Sequence, residues 1–116
     1  MIIIRVTLLV GVACFCGCES PCSNRVVSQK ASPDGKHKFV IFSRECDATV
    51  RANLQASILK ISEPLRSGGG NAVVVEGELF ARWNKDGSLT FEIDKKSEIY
   101  KNCLSVDGVR VNYQFK

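Results

Sequence analysis

From Arg25 onward the chain breaks into short apolar runs with a two-residue period, and turn chemistry separates them at regular intervals. Leu89, Phe91 and Ile93 alternate with Thr90, Glu92 and Asp94, and Val109, Val111, Tyr113 and Phe115 share one side of the last run. Only an extended backbone sends such residues to a common face. No stretch repeats its apolar residues at a convincing helical spacing. The pattern predicts an all-β domain, a single antiparallel meander of seven or eight strands curled into a sandwich or partial barrel.

The turns carry their own signals. Ser32-Pro33-Asp34-Gly35-Lys36 combines a proline that presets φ, an aspartate that bonds its own backbone and a permissive glycine. It should join a strand near Arg25 to Gln29 with Phe39-Val40-Ile41-Phe42. Four consecutive apolar residues there imply cover on both faces. From Val50, the residues Val50, Ala52, Leu54, Ala56 and Ile58 point one way, and Arg51, Asn53, Gln55 and Ser57 the other. Ser67-Gly68-Gly69-Gly70-Asn71 reads as a flexible loop, since it lacks the Gly-Lys-Ser/Thr ending of a phosphate loop. Ala72 to Glu76 forms the next strand, and Gly77 turns it into Leu79 to Trp83. Asn84-Lys85-Asp86-Gly87 then closes a hairpin onto Leu89, with Ser88, Thr90, Glu92 and Asp94 facing water. Asp107-Gly108 is a two-residue hairpin signal between Ile99–Val106 and Val109.

The first 18 residues, MIIIRVTLLVGVACFCGC, read as an address. Arg5 precedes an uncharged apolar run of 11 residues, Val6 to Cys16, where a membrane span takes roughly 20. The run ends in Phe15-Cys16-Gly17-Cys18, which resembles the bacterial lipobox. That resemblance implies removal of residues 1–17 and lipidation of Cys18, with Cys14 the second candidate acceptor. Simple secretion and an uncleaved anchor are the remaining alternatives. Residues 18–24 would form a lipid-anchored tether and 25–116 the β domain. Glu19 is not the aspartate that marks inner-membrane retention in enteric bacteria, so the expected site is the outer membrane, facing the periplasm or exterior.

Cleavage would leave 99 residues, with 15 basic and 12 acidic side chains against 16 and 12 in the whole chain. The basic residues are scattered, without the concentrated stripe that nucleic-acid binding requires. Of the six cysteines, Cys14 and Cys16 would leave with the leader, so Cys14-x-Cys16-x-Cys18-x3-Cys22 is not read as a metal cluster. No metal and no cofactor is expected. Outside the cytoplasm two free thiols pair by default. Cys22 and Cys46 flank the first hairpin and form the expected disulfide. Cys103 is left over, as a small buried hydrophobe or a dimer link.

Two resemblances follow from the motifs. Ser-Pro-Asp-Gly-Lys and Trp83-x-x-Asp86-Gly87-x-Leu89 are similar to hairpin signatures of TolB-type β-propellers, although the chain has room for only about two blades. Nearly the whole mature chain resembles a family of small, uncharacterised bacterial envelope proteins. The matching residues are Cys22-x-Asn24, Ser32–Lys36, Val40-Ile41-Phe42-x-Arg44-x-Cys46-x-Ala48-Thr49, Gln55-x-Ser57-Ile58-Leu59, Arg82-Trp83 and Asp107-Gly108-Val109. That family usually has glycine where this chain has Asp47.

Candidate catalytic groups are few. His37, the single histidine, lies between two lysines just past a turn and reads as solvated, because a nucleophilic site needs a base oriented by a third group. The pairs Glu76 with Glu78 and Glu92 with Asp94 could each share a strand face, where carboxylates mostly solubilise. Trp83, aligned with Leu79 and Ala81, is expected in the core. These features point to a non-enzymatic envelope module, anchored to the membrane by lipid and binding an envelope protein or glycan. The alternative is an inhibitor or immunity protein against an envelope hydrolase or toxin.

Overall fold

The computed structural model describes residues 22–46 and 53–116. Cys18, with the leader, and Val50 to Ala52, expected to open the third strand, lie outside them. The described chain is all-β, with nine strands: β1 Ser23–Ala31, β2 His37–Glu45, β3 Asn53–Lys60, β4 Val73–Glu76, β5 Leu79–Trp83, β6 Leu89–Ile93, β7 Glu98–Asn102, β8 Ser105–Val106 and β9 Val109–Phe115. They form a five-stranded sheet in the order β1-β2-β3-β4-β7 and a four-stranded sheet in the order β5-β6-β9-β8. β1 begins at Ser23, inside the stretch expected to serve as tether.

The main core lies between the sheets. Phe39, Ile41, Ala56, Ile58, Val73 and Val75 of the larger sheet meet Leu79, Leu89, Phe91, Ile93, Val109 and Val111 of the smaller one, all of them buried. The register explains the shared face, because Phe39 lies opposite Ile58, and Ile41 opposite Ala56. The other two residues of the apolar quartet, Val40 and Phe42, point outward and pack with Leu59 and Leu65 in a second cluster. Strand β2 is thus covered on both faces, as its unbroken apolar run requires.

Two features depart from a simple meander. β4 and β5 are consecutive but belong to different sheets, so Gly77–Glu78 is a crossover and not a hairpin. The strands β6 and β9 pair in parallel, Leu89 opposite Val111 and Ile93 opposite Phe115. Both departures follow from sending β7 to the edge of the larger sheet, beside β4, which leaves β9 to enter next to β6. The local turn signals hold: β5 and β6 form the expected hairpin. Asp107 (φ 51°) and Gly108 (φ 81°) take the two positive φ values of a tight hairpin turn between β8 and β9.

The polar side chains expected to face water on β6 do so only in part. Ser88 and Thr90 are buried. β6 lies between β5 and β9, and Asn84 Nδ2 donates to both hydroxyls, at 2.9 and 2.8 Å. Glu92 is half-buried between Arg82 and Lys116, whereas Asp94 is exposed.

The crossover has one tight point. Gly77 has φ 148°, and a Cβ built there would lie 2.7 Å from Ser97 Cβ. Gly77→Ala is expected to lower stability by about 1–3 kcal/mol through overpacking, read as a reduced urea midpoint. Ser97 Oγ is buried without a hydrogen-bond partner. Ser97→Ala alone should therefore be neutral or stabilising, and should recover part of the loss in the double variant.

Candidate functional site

Residues 61–72 leave β3 and cross its outer face before entering β4 as a strap, and polar side chains of the larger sheet fasten it. Asn24 and Arg44 are register partners on β1 and β2. The Asn24 amide donates to the carbonyls of Arg66 (3.1 Å) and Gly68 (3.0 Å). The Arg44 guanidinium donates to Ser67 O (2.7 Å) and to Asn24 Oδ1 (2.8 Å), which fixes the asparagine's orientation. Further along, Gly70 N donates to Gln55 Oε1 at 2.7 Å and Asn71 N to Ser57 Oγ at 3.1 Å. The Asn71 side chain accepts from Ile58 N and donates to Ile58 O, so it imitates a strand beside β3 where β4 has not yet begun.

The glycine run expected to be flexible is therefore bound at both ends. Gln55 and Ser57, the polar half of the β3 alternation, are buried at 6% and 3% exposure because the strap lies on them. A Cβ at Gly70 would lie 2.6 Å from Ala56 O, so glycine allows this close approach.

Cys22 and Cys46 are joined at the same end of the sheet, beside the Asn24–Arg44 pair. The expected disulfide partners are thus brought together. Cys103 is free and half-buried, its thiol 3.5 Å from Asn71 O. Tyr113 donates to Cys103 O at 2.5 Å, and burial pushes its phenol well above the usual range.

A second constellation lies at the opposite end of the strands. Asp107 Oδ2 is 3.0 Å from His37 Nε2 and 2.9 Å from Lys60 Nζ. His37 is not the solvated turn residue expected. Its side chain is 20% exposed and held by a carboxylate 70 residues away. Both hydrogen bonds, Lys60's first, hold the Asp107 carboxyl below its usual value. Lys60 is raised in turn, chiefly by its bond to Asp107. The trio ties the start of β2 and the end of β3 to the β8–β9 turn, linking the two sheets across an open notch of about 470 Å3.

A carboxylate depressed on folding stabilises above its unfolded value, and that contribution fades as pH falls through the folded one. Asp107→Asn keeps a residue suited to the turn and removes the charge. The variant should be less stable than the parent at neutral pH, and their urea midpoints should converge as the pH falls through the lowered range of the Asp107 carboxyl. Equal midpoints at pH 7 would refute a stabilising role for the trio.

The remaining expected groups are dispersed. Glu76 and Glu98 accept from the exposed Tyr100 hydroxyl. Trp83 is half-buried against Phe39, with ring centroids 6.1 Å apart, and Nε1 donates to Lys30 O on β1. No group of three metal-ligating side chains occurs among the described residues.

The architecture is a two-sheet β-sandwich whose larger sheet carries a fastened outer strap next to a disulfide. Compared with known proteins, the chain matches no protein-family model, no curated protein and no solved structure.

Proposed function

We propose that the chain is an envelope lipoprotein, cut before Cys18, lipidated there and acting as a non-enzymatic binding module. The pairing of Cys22 with Cys46 carries this reading. Only Glu19, Ser20 and Pro21 separate the proposed lipid from the bonded Cys22. Four fully extended residues span at most about 14 Å, so the disulfide end of the sheet would rest near the headgroups. A disulfide also suits an oxidising compartment. Strand β1 runs nine residues away from that end, roughly 30 Å at strand rise. It would present the His37–Asp107–Lys60 notch to the aqueous side, where an envelope protein or glycan could meet it.

In this reading His37 serves as a tie between the two sheets, its ring oriented by Asp107.

Labelled palmitate should enter the expressed protein and be lost in Cys18→Ser while persisting in Cys14→Ser. Label retained by Cys18→Ser would overturn the assignment.

A further inference from the structure

Between the strap and the outer face of the larger sheet lies a cavity of about 340 Å3, within the range of small-ligand sites. We propose that it binds a free apolar α-amino acid, a small zwitterion with a branched aliphatic side chain. Its wall has three chemistries. Leu59 and Leu65, from the second apolar cluster, supply a dry surface for the side chain. Ser57 is buried, and its oxygen already accepts from Asn71 N. Its hydroxyl proton remains available to an acceptor in the cavity.

Glu63 and Arg66 bring opposite charges to the same wall. Glu63 spends Oε1 on Lys60 N and keeps Oε2 for a cation. The Arg66 guanidinium makes no hydrogen bond or ion pair with a described residue, while its backbone carbonyl is held by Asn24. The two charges thus project from a backbone pinned at Glu63 N and Arg66 O. An ammonium would sit toward Glu63 and a carboxylate toward Arg66. A ligand with one charge leaves the other wall charge unpaired as water is displaced, which costs affinity. The site stands independently of the lipid anchor.

The test titrates the full chain, disulfide intact, with L-leucine, 4-methylpentanoate and 3-methylbutylamine, following amide resonances of Gly68 to Asn71. Leucine should bind saturably and roughly tenfold or more tighter than either singly charged analogue. Arg66→Gln removes no side-chain hydrogen bond or ion pair with a described residue and should fold. It should weaken leucine by about tenfold or more and leave the amine unchanged. Equal affinity for all three probes, absence of saturable shifts at millimolar leucine, or undiminished leucine binding by Arg66→Gln would each overturn the proposal.

Discussion

Replacing both Cys22 and Cys46 with serine is expected to lower stability by roughly 3.5 kcal/mol, from the entropy of closing a loop of about 25 residues. For a domain of this size the melting temperature should fall by about 15 °C or more. The loss should also have a location. The bond sits beside the Asn24–Arg44 register pair, whose side chains hold Arg66, Ser67 and Gly68. Freed ends of β1 and β2 would loosen the near half of the strap before the main core. Hydrogen exchange should show the largest acceleration at β1 and smaller changes at Phe91 and Ile93. A midpoint shift below about 1 kcal/mol would mean that the pairing contributes little constraint.

Phe42→Ala is expected to cost about 3–5 kcal/mol, the range for truncating a buried phenylalanine. Phe42 is fully buried, yet it belongs to the outer face of the larger sheet, with Val40, Leu59 and Leu65. Without the strap it would be a surface residue, and truncation would cost little. The magnitude therefore reports whether the strap is a third layer. Exchange at Gly70 N and Asn71 N, which bond Gln55 and Ser57, should accelerate with the mutation. A cost under about 1 kcal/mol would show the outer face open to water.

Local chemistry in the chain was a good guide to strands and turns. The unbroken Phe39–Phe42 run signalled cover on both faces, and the Asp107-Gly108 turn signalled a tight hairpin; both stand in the fold. Sheet membership was hidden, since β4 and β5 adjoin in sequence and part at Gly77. The parallel β6–β9 pair has no turn of its own to announce it.

The candidate sites were hidden for a related reason. Period-two alternation marks Gln55, Ser57, Ser88 and Thr90 as the polar face, but it does not say what lies on that face. Here a loop and neighbouring side chains occupy it and donate hydrogen bonds to its amide and hydroxyl oxygens. The strap's glycines look flexible in isolation because their constraints come from Asn24, which holds Gly68 from 44 residues away, and from Gln55, which holds Gly70 from 15. His37 looks solvated beside its two lysines, since its partner Asp107 lies at the far end of the chain. Even so, Cys22-x-Asn24, Arg44-x-Cys46 and Gln55-x-Ser57, singled out as motifs, acquire a common physical meaning. They surround and fasten one strap.

Mass spectrometry of a tryptic digest of envelope-derived protein, without reduction, tests the central claim most directly. The account predicts one cross-linked species, residues 18–25 bonded through Cys22 to Cys46 in residues 45–51, with a diacylglyceryl modification on Cys18. An intact N-terminus at Met1, with Cys22 and Cys46 both reduced and Cys18 unmodified, would contradict it.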